Sequence, residues 1–330
     1  MPRLSLRSTL GFTTTVVALA LAAVACGSSS SGGNGGSVAS SGGTVPSFCG
    51  GTAGSGSVVV GAFNFSESEL LANIYAAALN KCGYSASVKA LGAREVVYPA
   101  LKKGTLAAVP EYAATLTDFI NDANNGANAP SKASGDINKT MVALRAELPS
   151  NLVALNPATA TDKNSFAVKT SFANANHITS MSQLGAYSRS HPLSLGGPAE
   201  CQTRTFCEPG LKKTYGMKFS KFVTLDAGGP LTVKALKQGK VNVGLVFSSD
   251  PTVAQAGLTV LNDDKHLQAS DNIVAIVQKK YATGPFANAL NAVDSKLNQS
   301  TLVGLNKAVS IDHDPISEVA SGFLSQVGLS

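Results

Sequence analysis

The sequence predicts an α/β fold in which a mainly parallel sheet is built twice. Three observations carry that expectation. From about residue 57 to 327, short apolar runs of strand length alternate with stretches whose apolar residues recur at helical spacing. The strand–helix–strand rhythm resumes in the second half of the chain, past an Asn-, Ala-, Gly- and Pro-rich loop over 121–134. A chain of 330 residues, 44% hydrophobic and 14% charged, can also bury a large core and exceeds one ordinary domain.

The first strand covers 58–63. Ser66 with Glu69 three residues on has the spacing of a capping box. The helix it would open carries Leu70, Leu71, Ile74, Ala77 and Ala78 at helical spacing and stops near Cys82-Gly83. A strand over 85–90 and a helix over 93–101 follow, the helix closed by Lys102, Lys103 and Gly104. The apolar run 106–109 ends at Pro110, which has no N–H for a central ladder, so a helix is expected over 111–120. Its first turn would hold Glu111 and set Tyr112 and Thr115 on one face. A strand running into a helix N-terminus is where open α/β sheets hold ligands. An aromatic ring beside a hydroxyl and backbone N–H groups suits a small amphiphile with a cationic and an anionic end.

Beyond the loop, a helix is expected over 137–148 and strands over 152–155 and 166–168. A short helix at 182–187, a strand at 193–195 and a helix at 211–215 ending on Gly216 come next. The strand 222–225, the helix 231–237 and the strand 241–247 repeat the pattern. Strands at 258–261 and 273–277 are the last, and helices at 285–297, 301–309 and 315–327 finish the chain. Asp263-Asp264 reads as a polar turn and Asp312-His313-Asp314 as a helix-capping turn.

The N-terminus has a different character. Arg3 and Arg7 precede an apolar run over 10–25 that ends in Leu21-Ala-Ala-Val-Ala-Cys26. The run is short for a membrane span and has the form of a secretory signal, residues 1–25. A Cys directly after small residues resembles a bacterial lipobox, whose Cys, here Cys26, is acylated and becomes the new N-terminus. Residues 26–56 are mostly Ser and Gly and carry no charge, so they read as a flexible tether. The expected location is the outer face of the cytoplasmic membrane, held by lipid.

The formal charge of +6 falls to +4 once Arg3 and Arg7 leave, because no acid leaves with them. That excess is scattered, with no Lys/Arg run interleaved with aromatics, so nucleic acid is not an expected partner. Besides Cys26, four cysteines remain, an even number that in an exported chain favours two disulfides. Of three possible pairings, Cys49–Cys82 with Cys201–Cys207 is preferred, because the second is local and the first staples the domain's start to its first helix. No Cys-x-x-Cys spacing or His cluster suggests a metal, and no cofactor is expected. Neither a Gly-x-Ser-x-Gly elbow nor a Cys or His with a triad partner is present, so an enzyme is not expected.

Several segments together resemble a family. Val60-Gly-Ala-Phe-Asn-Phe-Ser-Glu67, Tyr98-Pro-Ala-Leu-Lys-Lys-Gly104 and Val109-Pro-Glu-Tyr112 look like the first lobe of osmoprotectant-binding proteins. These are the glycine betaine/choline/carnitine-type substrate-binding components of ABC transporters. Leu195-Gly-Gly-Pro198 through Arg204 to Gly216, Ala235-Leu-Lys-Gln-Gly239, Val246-Phe-Ser-Ser-Asp250 and Leu261-Asn-Asp-Asp-Lys-His266 resemble the rest. The order and spacing of these motifs cover 57–330. The resemblance implies a type II periplasmic-binding-protein fold, two α/β lobes with a hinge and an interlobe ligand cleft. Lobe one would be 57–161 with 272–330, and lobe two 162–271. The crossovers would fall near 159–164 and 269–272.

The family boxes a quaternary ammonium with aromatic rings and holds its carboxylate with cationic and hydroxyl groups. By motif, Tyr112 matches a box tyrosine, Thr115 a carboxylate contact and Arg204 the carboxylate-binding arginine of lobe two. Phe166 and Phe247 stand at box-aromatic positions. Two departures matter. The family's Gly-Ser-Lys-Asn-Phe is Gly61-Ala-Phe63-Asn64-Phe65 here, so a lysine is lost and Phe63 with Asn64 faces the cleft. The position where the family has its fourth aromatic falls near Asp271, a carboxylate in place of a ring. Both departures suit a net-positive ligand, so a choline-like solute is as much expected as glycine betaine. The implied partners are that solute and a membrane permease, with the protein a monomer. A ligand sensor uncoupled from import is the alternative.

Overall fold

In a computed structural model, the described residues are 45–126 and 129–330. Cys26, the expected signal sequence and most of the expected tether lie outside them. Two five-stranded sheets form, one in each lobe. The first contains β1 (Ser57–Phe63), β2 (Ser85–Gly92), β3 (Ala108–Tyr112), β4 (Leu152–Thr161) and β10 (Asn272–Gln278), in the order β2-β1-β3-β10-β4. The second contains β5 (Asn164–Lys169), β6 (Leu193–Gly197), β7 (Phe219–Thr224), β8 (Val243–Phe247) and β9 (Leu258–Val260), in the order β7-β6-β8-β5-β9.

Each sheet is mixed: four of its strands point one way and one runs against them, so two of its four ladders are antiparallel. In the first, β1 is parallel to β2 and β3, but β10 runs antiparallel to β3 and β4. In the second, β6 is parallel to β7 and β8, while β5 is antiparallel to β8 and β9. The cause is the crossing of the chain between lobes. A strand that enters a sheet from the other lobe starts at the cleft edge, where strands joined by helical crossovers end. The two crossings lie side by side: Thr161 pairs with Asn272, and Asp162 donates its N–H to the Asp271 carbonyl at 3.0 Å.

The core of the first lobe is one cluster around Leu70, Ile74, Tyr75, Leu116, Val274 and Phe286. All seven residues of β10 are buried, which explains its continuous apolar reading Ile273–Val277. The second lobe packs Phe166, Leu184, Leu195, Leu211, Tyr215 and Val243 on one side of its sheet. Leu236, Val241 and Val246 belong to a separate cluster.

Local expectations fail in informative places. Pro110 does not end its strand: β3 continues through Glu111 and Tyr112, which pair with Val274 and Ile273 of β10. The fixed φ of proline fits an extended chain, and neighbouring pairs hold the strand despite one lost donor. The first helix, α1 (Ser66–Lys81), has no side-chain cap from Ser66. Instead, Ser68 accepts the Phe63 N–H at 2.9 Å, tying the helix to the end of β1. A true capping box joins Ser180 and Gln183 ahead of the helix Met181–Ser188. The helix Thr170–Asn176 was not expected. Asp263 accepts from the Leu267 and Gln268 N–H groups, as a polar turn should.

The expected tether, read over residues 26–56, extends too far into the chain. Cys49 is fully buried and bonded to Cys82, Gly54 donates to the Cys82 carbonyl at 2.7 Å, and Val45 and Phe48 pack on the core. Residues 45–56 are therefore part of the folded domain. The second disulfide joins Cys201 to Cys207. Among the described residues no helix is long and apolar enough to cross a membrane, and no three His, Cys, Asp or Glu side chains are grouped to hold a metal.

Candidate ligand-binding site

The cleft between the lobes closes over a cavity of about 80 Å³. Strand ends supply most of its wall, as expected for a crevice at the edges of α/β sheets. From the first lobe come Phe63 at the end of β1, Asn64 and Phe65 in the turn after it, and Tyr112 at the end of β3. Thr115 comes from the first turn of α3 (Ala113–Asn125), and Arg94 opens α2 (Arg94–Lys102). The second lobe adds Asn164, Glu200, Arg204, Leu245 and Phe247, and the crossovers add Asp162 and Asp271.

Four rings form a continuous aromatic face. Phe63 stacks on Phe65 with centroids 6.0 Å apart, and Tyr112 lies 6.4 Å from Phe63 and 6.1 Å from Phe65. Phe247 closes the face from the other lobe, 5.2 Å from Phe65. Gly228, at φ +71°, lies under Phe247, where an added Cβ would come 3.0 Å from the ring. The Tyr112 hydroxyl points away to Glu67, donating to Oε1 at 2.7 Å, and its burial pushes its pKa well above the usual value.

The charged groups are already engaged. Arg94 is 5% exposed and grips Glu111 through Nε at 3.0 Å and an η nitrogen at 2.8 Å, and it also donates to Thr115 Oγ1 at 3.0 Å. Burial works against its charge, but Glu111 outweighs that and holds the guanidinium ionised. Arg204 donates to both carboxylate oxygens of Glu95, at 3.0 and 2.9 Å, linking the lobes. Its Nε is buried with no hydrogen-bond partner among the described residues. Burial, then the nearby Arg94, lower its pKa. Asp271 accepts from the N–H groups of Ala114 and Thr115, at 2.9 and 3.0 Å, at the start of α3. Burial still raises its carboxyl to about 7.

Seven of the eight residues read from the sequence therefore surround one cavity: Phe63, Asn64, Tyr112, Thr115, Arg204, Phe247 and Asp271. Phe166 does not. It is fully buried in the core of the second lobe, two residues inside β5. Because β5 runs antiparallel to β8, its N-terminal end meets the cleft, and Asn164, paired with Phe247, takes that place. Sequence reasoning missed Phe65, Arg94, Glu67 and Asp162. Phe65 was visible as the second aromatic of Phe63-Asn64-Phe65. Arg94 looked like an ordinary first-turn residue, and only the fold brings Glu111 to it.

Known proteins resemble the chain at several levels. The family model described as "Substrate binding domain of ABC-type glycine betaine transport system" matches residues 56–326. The glycine betaine-binding protein YehZ of Escherichia coli (strain K12) is 29% identical over 280 residues, covering 82% of this chain and 90% of that protein. The ergothioneine transport permease/ergothioneine binding protein EgtU of Helicobacter pylori (strain G27) is 27% identical over 237 residues. That match covers 71% of this chain and 40% of the longer relative. A crystal structure described as a glycine betaine/carnitine/choline ABC transporter superposes with a TM-score of 0.61 at 21% identity, covering 82% of this chain and 99% of the other.

Proposed function

Because the chain belongs to the family of substrate-binding domains of ABC-type glycine betaine transport systems, we propose that its cavity takes a small quaternary-ammonium solute. The observation that carries this reading is the four-ring face of Phe63, Phe65, Tyr112 and Phe247, contributed by both lobes. Aromatic faces attract a desolvated ammonium by ~1–2 kcal/mol each, through the ring quadrupole, so phenylalanine serves as well as tyrosine. The free Nε of Arg204 is the donor placed for an anionic end. Because both arginines already hold a glutamate while Asp271 joins no Lys or Arg ion pair among the described residues, a choline-like cation fits at least as well as a zwitterion. The solute would be passed to a membrane permease, with the domain held near it by lipid on Cys26.

Calorimetry with glycine betaine and choline side by side tests the site. Arg204→Ala should weaken a carboxylate-bearing solute at least tenfold and choline only a few-fold, since choline offers the guanidinium nothing. Equal losses for both would contradict the assigned role. For the anchor, Cys26→Ala should release the protein from the membrane fraction, and an unchanged distribution would rule out lipidation at this residue.

A further inference from the structure

Behind Tyr112, the first lobe, the second lobe and the hinge meet in a buried polar cluster. Glu67 of α1 accepts from the Tyr112 hydroxyl through Oε1 at 2.7 Å. Its Oε2 lies 2.5 Å from Ser249 Oγ and accepts from Asn306 Nδ2 at 2.6 Å. Ser249, in the loop after β8, lies 2.8 Å through the same Oγ from Oδ1 of Asp162, which also accepts the Ser249 N–H at 3.1 Å. Glu67, Asp162, Ser249 and Asn306 are all 6% exposed or less.

A serine hydroxyl has one proton to donate. Here Oγ touches two carboxyl oxygens, so both contacts are hydrogen bonds only if one carboxyl is itself an acid. Glu67 already accepts from Tyr112 and Asn306, which favours its charged form. The order of donation is then Asp162 to Ser249 to Glu67. The structure assigns a proton-binding site to the Glu67–Ser249–Asp162 bridge, filled when the cleft closes. Opening draws Ser249 away from Glu67 and lets water reach both acids, so the open form gives the proton up at neutral pH.

The surroundings agree. Neither acid joins any Lys or Arg ion pair among the described residues. The charged groups facing them are Asp271 at the adjoining crossover and Asp250, Lys234, Lys237 and His313 around an outer groove that Glu67 and Ser249 also line. Burial raises the pKa of both carboxyls, and the charge of Glu67 pushes Asp162 further. The sign follows: closure takes up a proton, so it is favoured at low pH and weakens as pH rises above the ordinary carboxyl value near ~4.

This rests on the reading that a solute closes the cleft, and two measurements keep the ideas separate. Calorimetry with glycine betaine and choline, repeated at pH 6.5 in buffers of different ionisation enthalpy, should show uptake approaching one proton per solute bound. Affinity should fall by up to ~10-fold per pH unit until the closed form loses its proton. Asp162→Asn and Glu67→Gln, which replace an ionisable carboxyl by a neutral amide of the same shape, should each remove the uptake. Uptake that persists in both variants, or none in wild type, overturns the proposal. If neither solute binds, lobe separation measured by fluorescence energy transfer in the ligand-free chain decides it. The closed fraction should fall with pH in wild type and not in Asp162→Asn, and a pH-independent fraction in wild type overturns the proton site alone.

Discussion

Arg94 and Glu111 form the cavity-wall ion pair buried at both ends, with side chains 5% and 2% exposed. Removing one member of such a pair leaves an uncompensated charge. Arg94→Met is therefore expected to destabilise the fold by ~3–5 kcal/mol in urea denaturation, a loss well beyond that of a surface ion pair. A loss below ~1 kcal/mol would show that water reaches Glu111 after all. At this scale the sequence was readable where a family motif marked a residue that lines the cavity, as at Tyr112, Thr115 and Phe247, even though Tyr112 ends a strand and not, as expected, opens a helix. It was silent where a role depends on pairing across the fold. Glu67 reads as a first-turn helix acid, and only the structure sets it against Ser249, 182 positions away. Phe166 misled because strand polarity in a mixed sheet, not residue type, decides which end of β5 meets the cleft.

At the scale of elements, residues 45–56 show what composition cannot see. Ser and Gly argue for a tether, yet one buried disulfide and a turn of 3-10 helix at Ser47–Cys49 fasten this stretch to the domain. The chain-entropy model ties the stabilisation to loop size. Cys49–Cys82 spans 33 positions and Cys201–Cys207 spans 6. Replacing the first pair by Ala should cost ~3–4 kcal/mol and the second ~2 kcal/mol. Differential scanning calorimetry of the two double variants checks the order, and a larger loss from the short loop would reverse the argument. Strand β3, which runs on through Pro110, teaches a related point. Proline removes one donor, but β3 is held by its neighbours, and the two extra residues carry Tyr112 to the cavity edge.

For the whole molecule, alternation of strands and helices announced two α/β sheets, and the motif order announced two lobes. What alternation could not give was strand direction, because β5 and β10 enter their sheets from the opposite lobe. That same arrangement sets the crossovers against each other and brings rings from both lobes to one cavity. A solute that touches both lobes binds the closed form better than the open one and shifts the hinge toward closure. The central claim is that this interlobe aromatic face is where the solute binds. Its most direct test is titration calorimetry of glycine betaine and choline into wild type and Tyr112→Ala. The account predicts saturable binding of at least one solute and a loss of about tenfold, ~1–2 kcal/mol, on removing the ring. A variant that binds its solute as tightly as wild type would contradict it.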